Sequence, residues 1–350
     1  MNPASGSTAP RAESLAATAR ALVPPGKGIL AADESHPSIA RRFEPLGIPN
    51  TPEMRRRYRQ MLFTAPGIAE HVSGVILFDE TIRQTADDGT PLVEVLRGPG
   101  IIPGIKVDRG AKPLAGAPGE QVTEGLDGLR ERLAEYAALG ARFAKWRAVL
   151  AIGPGLPSTY AIDVNAHALG RYAVLCQETG MVPIVEPEVL MDGDHTLERC
   201  FEATEQTLRA VFAELSAQRV LLEGMLLKPN MVVPGKDCPR QASVPEVAAA
   251  TVACLRRTVP AAVAGVVFLS GGQSDELATA HLNAMNASGA PYPWALSFSY
   301  GRALQAAPLQ AWRGDPARVA AGQQAFLHRA RLNGAARRGR YSPDLERAIA

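Results

Sequence analysis

The chain has 350 residues, a formal net charge of +2 and an apolar fraction of 46%. This composition is that of a soluble globular protein with a large core, and the length suits one barrel domain with extensions. The near-neutral charge argues against nucleic-acid binding, which requires a dense basic face. No apolar run approaches the roughly 18 residues of a membrane span. We therefore expect neither a nucleic-acid nor a membrane partner.

The cysteines and histidines indicate no metal site. The four cysteines show no CxxC pair, and the six histidines show no HExxH or related spacing. The N-terminus also lacks the apolar segment of a secretory signal. These features predict a cytoplasmic protein with reduced thiols and without a disulfide framework, a metal or a cofactor.

Apolar, strand-like runs alternate with helical patterns from Gly28 onward. The predicted strands cover 28–32, 74–78, 101–105, 142–144, 182–185, 221–227, 265–269 and 294–299. The predicted helices cover about 54–63, 126–139, 159–179, 195–217 and 244–257, with another from about 274. This alternation predicts an α/β fold, a (β/α)8 TIM barrel with N- and C-terminal helical extensions.

No repeat or linker divides the chain, so we predict a single domain. The barrel would span about 28–302, C-terminal helices about 303–335 and a mobile tail 336–350. An open, doubly wound sheet is the alternative fold. It is disfavoured because the first predicted strand is not followed by the GxGxxG turn that binds dinucleotides in such sheets.

Lysine is rare in this chain. Only six of its 37 Lys and Arg residues are lysine, and three of the six, Lys106, Lys145 and Lys228, end apolar stretches. Burial favours the neutral amine, which is a nucleophile toward carbonyls, whereas arginine cannot form a Schiff base. Lys228, which closes the run LLEGMLLK, is therefore the predicted Schiff-base residue. The alternative is a lysine that extends from a strand end into solvent.

The ends of the predicted strands carry most of the candidate chemistry, because the carboxyl ends of barrel strands meet at one face. Asp33 and Glu186 follow apolar strands, where a desolvated carboxylate holds a proton more readily and can shuttle it. Either could instead form a structural ion pair with a neighbouring lysine. Lys145 close to Lys228 would favour the neutral amine through like-charge repulsion.

A phosphate site is predicted after the seventh and eighth strands, its usual place in this fold. Ser270-Gly271-Gly272 precedes a helix and offers backbone N–H groups to an anion. Alone, this segment is more simply read as an ordinary turn. Gly301-Arg302 at the next strand end adds a bidentate guanidinium, which favours phosphate. Together the strand ends favour imine formation on a phosphorylated ketone, followed by carbon–carbon cleavage.

Seven motifs resemble those of the class I fructose-bisphosphate aldolases, which use a Schiff base rather than a metal. The motifs are GKGILAADES, GIKVDRG, FAKWR, VPIVEPE, LLKPNM, FLSGGQS and SFSYGRALQ, in this order along about residues 20–335. The resemblance implies reversible cleavage of fructose 1,6-bisphosphate to glycerone phosphate and glyceraldehyde 3-phosphate, in glycolysis and gluconeogenesis. It also implies a homotetramer.

The resemblance further implies a role for each matching residue. Lys228 would form the imine, while Glu186 and the neighbouring Lys145 would assist acid–base steps. Asp33 would orient and deprotonate the hydroxyl next to the breaking bond. The residues expected at the ketone-side phosphate are Ser270, Gly271, Gly301 and Arg302. Those expected at the aldehyde-side phosphate are Ser35, Ser38 and Lys106. Those expected to line the remaining pocket are Arg147, Arg42 and Glu188.

Three features depart from the family pattern. His36-Pro37 stands where a Thr-Gly pair is usual, which changes the approach to Ser38. Arg41 stands where lysine is usual. Animal and plant members end in a tyrosine, whereas this chain ends in ERAIA, with Tyr341 as its nearest tyrosine. A preference for fructose 1-phosphate or sedoheptulose bisphosphate, and a non-catalytic scaffold with the same fold, remain alternatives.

Overall fold

The computed structural model describes residues 8–347. In chain order its strands are β1 Gly28–Ala31, β2 Val72–Leu77, β3 Ile102–Lys106, β4 Ala111–Pro113, β5 Gln121–Thr123, β6 Phe143–Leu150, β7 Val182–Val189, β8 Leu226–Leu227, β9 Gly265–Phe268 and β10 Ala295–Tyr300. Within the described residues, eight strands close a barrel in the order β1-β10-β9-β8-β7-β6-β3-β2. Each barrel pairing is parallel, while β4 and β5 form a separate antiparallel hairpin. The predicted (β/α)8 barrel is confirmed.

Helices surround the barrel and extend it at both ends of the described chain. They are α1 Thr8–Ala21, α2 His36–Phe43, α3 Pro52–Phe63, α4 Asp79–Ile82, α5 Leu92–Arg97, α6 Leu129–Ala138, α7 Thr159–Glu178, α8 Leu197–Ala217, α9 Val244–Thr258, α10 Asp275–Ala287, α11 Arg302–Trp312, α12 Val319–Arg337 and α13 Asp344–Arg347. Thr51, Ser158 and Thr196 cap α3, α7 and α8 by accepting a hydrogen bond from the backbone N–H three residues on. These polar residues therefore set where the three helices begin.

Alternate strand residues fill the barrel, and the others pack against the helices. The interior cluster joins Phe143 of β6 and Ile184 of β7 to Leu15 and Leu22 of α1. Because α1 contacts the residues at the starts of the strands, it closes the amino-terminal end of the barrel. Gly104 leaves room for the Phe143 ring, since a Cβ at this position would lie 2.3 Å from it. The opposite, carboxyl-terminal end is the one at which sites lie in this fold.

The pair β6–β7 is longer than the sequence predicted. It runs over eight residues, from Phe143 opposite Val182 to Leu150 opposite Val189. The predicted strands stopped at 144 and 185 because charged residues begin there. The sheet continues past its apolar layer, so Lys145 and Glu186 are strand residues and do not lie in the following loops.

Strand β8 is shorter than the predicted 221–227. Only Leu226–Leu227 pair with their neighbours, whereas Leu222–Gly224 form a 3-10 turn. The side-chain amide of Gln177 donates to the carbonyls of Leu221 (2.8 Å) and Gly224 (3.2 Å). These two backbone carbonyls therefore have hydrogen-bond donors although the segment has no strand partners. Lys228 nevertheless follows directly after the strand, as predicted.

The sequence pattern missed α2 and the β4–β5 hairpin. Helix α2 buries only Ile39 and Phe43, which is too short an apolar pattern to be distinctive. Each hairpin strand has three residues and borders a segment rich in Gly and Pro. That composition predicted a loop over the whole segment.

The segment after α12 packs onto the helices. Helix α12 ends at Arg337, two residues beyond the predicted 335. Tyr341 is buried, and its hydroxyl donates to Oε1 of Glu346 at 2.9 Å. Glu346 in turn forms an ion pair with Arg329 at 2.6 Å. The expected mobile tail 336–350 thus has tertiary contacts as far as it is described, and residues 348–350 lie outside the described part. The assignment of the whole chain to one domain stays a prediction.

Candidate active site

Four polar side chains extend the interior of the barrel by one layer. Each stands two residues beyond an apolar member of the interior cluster, and residues two apart share a face of a strand. They therefore converge at the carboxyl ends of the strands. The pairs of apolar and polar residues are Ala31 and Asp33, Phe143 and Lys145, Ile184 and Glu186, and Leu226 and Lys228.

These side chains line a pocket of about 820 Å³ at this end of the barrel. This volume is in the usual range for small-molecule sites. All of the residues predicted for catalysis and binding line the pocket. They are Asp33, Ser35, Ser38, Arg42, Lys106, Lys145, Arg147, Glu186, Glu188, Lys228, Ser270, Gly271, Gly301 and Arg302.

Glu186 lies between two lysines. Its Oε1 is 3.2 Å from Nζ of Lys228, and its Oε2 is 3.3 Å from Nζ of Lys145. Lys228 is 4% exposed, Glu186 and Lys145 only 3%. Oε2 accepts no well-aligned hydrogen bond within residues 8–347 and keeps only the charge contact with Lys145. A carboxylate so placed can exchange a proton with a group bound at Lys228.

Asp33 is paired with Lys145, whose Nζ lies 2.7 Å from its Oδ2. Burial by itself would raise the pKa of Asp33, but the positive charges of Lys145 and Lys228 hold it well below its ordinary value. Burial would likewise lower the pKa of Lys145, but Asp33, Glu186 and Asp108 raise it above its ordinary value. Of the two alternatives left open for Asp33, the structure favours the ion pair with a neighbouring lysine over a carboxyl group that burial keeps protonated.

The sequence patterns missed Asp108. Its Oδ1 lies 2.5 Å from Nζ of Lys106, and its Oδ2 lies 4.0 Å from Nζ of Lys145. The backbone N–H of Arg147 also donates to Oδ2 at 3.2 Å. Asp108 stands two residues beyond Lys106, so the same two-residue step that relates the other site residues could have found it. It orders Lys106, which therefore enters the pocket already paired with a carboxylate.

The turn after β9 is shaped to receive an anion. Gly271 has φ +57°, a left-handed conformation that favours glycine. Within the described residues, the N–H groups of Gly271 and Gly272 donate to no protein acceptor. The guanidinium of Arg302 donates to the carbonyl of Gly271 at 3.0 Å, which joins the turn to the start of α11. Free backbone donors, a helix N-terminus and a guanidinium thus lie together.

A second group of polar residues lies after β1. The hydroxyls of Ser35 and Ser38 are 3.1 Å apart, and Arg41 donates to Ser38 at 3.4 Å. Arg42 is paired with Glu34, a buried carboxylate that also binds Arg59 at 2.5 Å. Glu34 therefore holds Arg42, which lines this side of the pocket, together with the buried Arg59.

Arg147 and Glu188 occupy neighbouring strands and form an ion pair with each other. Burial by itself would lower the pKa of Arg147, but Glu188 and Glu186 raise it above its ordinary value. Both residues line the pocket, which is the position predicted for them.

In residues 8–347, no group of three His, Cys, Asp or Glu side chains has the geometry to hold a metal ion. None of the described helices is both long and apolar enough to span a bilayer.

The family model described as class-I fructose-bisphosphate aldolase matches residues 14–350. The chain belongs to this family. The class I fructose-bisphosphate aldolases are carbon–carbon lyases, and this chain is a lyase of that class. The family assigned from the seven motifs is confirmed.

Bacterial and animal aldolases are similar to nearly the whole chain. A probable fructose-bisphosphate aldolase class 1 from Xanthomonas campestris pv. campestris is 59% identical, over 94% of this chain and 98% of its own. Fructose-bisphosphate aldolase C from Mus musculus is 56% identical, over 91% of this chain and 88% of its own. The match with these aldolases therefore extends well beyond the seven motifs.

A solved aldolase structure shares the fold. It is the fructose-bisphosphate aldolase of Plasmodium falciparum, crystallised with TRAP and a small-molecule inhibitor. Its TM-score is 0.94 at 50% identity, with 95% of this chain and 96% of that chain covered.

Proposed function

We propose that the pocket catalyses reversible cleavage of fructose 1,6-bisphosphate to glycerone phosphate and glyceraldehyde 3-phosphate, through an imine on Lys228. The observation that carries this proposal is the placement of Glu186 between the amines of Lys228 and Lys145 at the buried end of the pocket. A nucleophilic amine needs a group beside it that can carry protons.

Imine formation begins when the neutral Nζ of Lys228 attacks the C2 carbonyl of the open-chain sugar. The carbonyl oxygen takes up a proton and then leaves as water, which requires a second proton. Glu186 reaches Nζ of Lys228 at 3.2 Å and supplies and recovers these protons. Lys145 keeps a positive charge beside Glu186, with its Nζ 3.3 Å from Oε2.

Cleavage of the C3–C4 bond starts when the hydroxyl on C4 loses its proton. The bond electrons move into the iminium and give an enamine on Lys228, while C4 leaves as the aldehyde. Asp33 is held ionised by Lys145, so it can accept this proton at neutral pH. The enamine carbon then takes up a proton from water in the pocket, Asp33 returns its proton to solvent, and hydrolysis of the resulting iminium releases glycerone phosphate and the free amine of Lys228.

Two phosphate sites would fix the sugar between these groups. The turn Ser270–Gly272 and the Gly301–Arg302 segment bind the ketone-side phosphate. Ser35, Ser38 and Lys106 also line the pocket and bind the aldehyde-side phosphate, with Arg42, Arg147 and Glu188 along the walls. Backbone N–H groups and arginine are the donors that phosphate prefers.

We further propose that the enzyme acts in glycolysis and gluconeogenesis in the cytoplasm, as a homotetramer with a sugar bisphosphate as its substrate. Sedimentation velocity at micromolar concentration tests the assembly. A monomer of 37.1 kDa at all concentrations would contradict it.

Borohydride trapping tests the imine. Reduction in the presence of glycerone phosphate should inactivate the enzyme and add the reduced adduct to a peptide that contains Lys228. Lys228→Arg, which keeps the charge but cannot form an imine, should remain unlabelled. Labelling of Lys145 or Lys106 in the unaltered protein would overturn the assignment. Parallel cleavage assays with fructose 1-phosphate and sedoheptulose bisphosphate compare the alternative substrates.

A further inference from the structure

The turn that carries the proposed ketone-phosphate site is held from behind by two buried side chains that do not face the pocket. Gln273 follows the turn directly, and His281 lies two turns into α10. Both are buried, with exposed fractions of 8% and 4%. The proposed reaction gives neither of them a role, although buried polar side chains cost free energy unless they are bonded.

The side chain of Gln273 makes three contacts, two of which join the turn to α10. Its side-chain nitrogen donates to the carbonyl of Ser270 at 3.1 Å and lies 3.7 Å from the sulfur of Met231. Its side-chain oxygen lies 2.6 Å from Nδ1 of His281. Since the nitrogen is the donor toward Ser270, the oxygen must be the acceptor toward His281.

These bonds fix the tautomer of His281. Nδ1 carries the proton and donates it to Gln273, while Nε2 is unprotonated and has no partner within the described residues. Burial lowers the pKa of His281 to about 4, so the ring is neutral at physiological pH. A neutral imidazole with one defined donor holds the amide of Gln273 in a single orientation.

The held carbonyl controls the geometry of the anion site. Ser270 precedes the left-handed Gly271, and its carbonyl also accepts the backbone N–H of Gln273 at 3.2 Å. Rotation of this carbonyl would rotate the peptide that carries the N–H of Gly271. On the pocket side, Met191 packs against Gly272, where a Cβ would lie 2.7 Å from its sulfur. The turn is therefore confined from two sides, and the side away from the pocket depends on Gln273.

We propose that His281 and Gln273 are positioning residues for the ketone-side phosphate: Nδ1–H of His281 orients Gln273, which fixes the Ser270 carbonyl and so aims the free N–H groups of Gly271 and Gly272. This inference rests on the proposed function of that turn. Its ligand class is a phosphate monoester on the ketone half of the substrate.

The test compares glycerone phosphate with dihydroxyacetone, which lacks the phosphate, in borohydride trapping at increasing ligand concentration. His281→Leu removes the donor at similar volume. We expect it to raise the half-saturating concentration of glycerone phosphate about fivefold to tenfold, as for one lost hydrogen bond. The concentration for dihydroxyacetone should be unchanged, because that ligand does not use the turn. An equal change for both ligands would mean a merely structural role and would overturn the proposal.

Two further variants complete the test. Gln273→Met removes the same bond from the other side, and it gives the decisive readout if His281→Leu does not fold. His281→Asn can place an amide donor toward Gln273 and should recover part of the lost affinity. In the double variant His281→Leu/Gln273→Met, the two effects should not add, because they break one chain of bonds. Full additivity would contradict the proposed relay.

Arg302→Ala separates this inference from the proposed function. If Arg302→Ala leaves the affinity for glycerone phosphate unchanged, the phosphate site itself is misplaced. If Arg302→Ala weakens binding but His281→Leu and Gln273→Met do not, the site stands and the positioning role is refuted.

Discussion

Oε1 of Glu186 lies 3.2 Å from Nζ of Lys228, and the barrel buries both side chains almost completely. A lone ammonium at this depth would be strongly disfavoured, and a lone carboxylate equally so. Opposite charges on the two groups offset this cost, and in the proposed mechanism a proton moves between them over the length of one hydrogen bond.

Glu186→Gln should therefore abolish most of the activity without unfolding the protein. The amide keeps the volume and can still hydrogen-bond to Lys228, but it cannot carry a proton. We expect the cleavage kcat to fall by about a hundredfold to ten-thousandfold, the usual contribution of general acid–base catalysis. Glu94→Gln, an exposed change on α5, serves as the control. A Glu186→Gln enzyme within threefold of the unaltered kcat would contradict the assigned role.

Asp33→Asn should lower stability in a pH-dependent manner. The folded-state pKa of Asp33 lies below its ordinary value of 3.8, because the charges of Lys145 and Lys228 outweigh the opposing effect of burial. Ionised Asp33 therefore contributes stability above about pH 4, and this contribution is lost as the pH falls through the folded-state value. We expect Asp33→Asn to cost about 1–3 kcal/mol at pH 7, and less at pH 3.

Urea unfolding at pH 3, 5 and 7 measures this difference. Asp163→Asn, an exposed change on α7, should show no such trend. A stability cost for Asp33→Asn that grows on acidification would contradict the prediction.

Lys145 behaves in the opposite sense. Its pKa is raised in the folded state, so its contribution is complete below about pH 10 and is lost only in strong base.

Arg302→Ala should chiefly weaken phosphate binding. The guanidinium is exposed, bonds the carbonyl of Gly271 and starts α11 beside the anion turn. Loss of a charged hydrogen bond costs about 1.5–3 kcal/mol, which corresponds to a Michaelis constant raised about tenfold to a hundredfold. Arg318→Ala, at an exposed position, is the matched control. An unaltered Michaelis constant for Arg302→Ala would count against the phosphate site.

Deletion of residues 342–350 should separate stability from catalysis. It removes Glu346, which pairs with the buried Arg329 and accepts from the hydroxyl of Tyr341. We expect unfolding to become easier by about 1–3 kcal/mol. Glu346→Gln should reproduce part of this loss. The cleavage rate should change by less than about threefold, under 1 kcal/mol of barrier. A hundredfold slower enzyme with an intact circular dichroism spectrum would show that the segment takes part in catalysis.

The sequence predicted the barrel because eight apolar runs alternate with helical patterns, and it placed the site because polar residues follow those runs. It failed where the boundary between strand and loop depends on tertiary pairing. Lys145 and Glu186 are charged, so the local pattern predicted that their strands end before them. In the structure, β6 and β7 pair with each other through both residues and continue beyond them. Asp108 escaped notice because its importance lies in contacts with residues distant in sequence. The ion pair of Asp33 was one of two open alternatives, since nothing local decides whether burial or a neighbouring charge dominates.

Because β6 and β7 are long, the pocket-lining groups stand on two kinds of backbone. Some belong to paired strands, and others belong to turns outside the sheet. Lys145 and Glu186 belong to paired strands, so their backbone amides exchange with solvent only when the barrel itself opens. The turn at Gly271 lies outside the sheet, and side-chain contacts of Gln273 and Met191 confine it instead of strand pairing. The proposed proton-carrying groups thus share the frame of the sheet, whereas the proposed phosphate-binding turn depends on single side chains, so a substitution behind the turn can alter phosphate affinity without displacing Lys145 or Glu186.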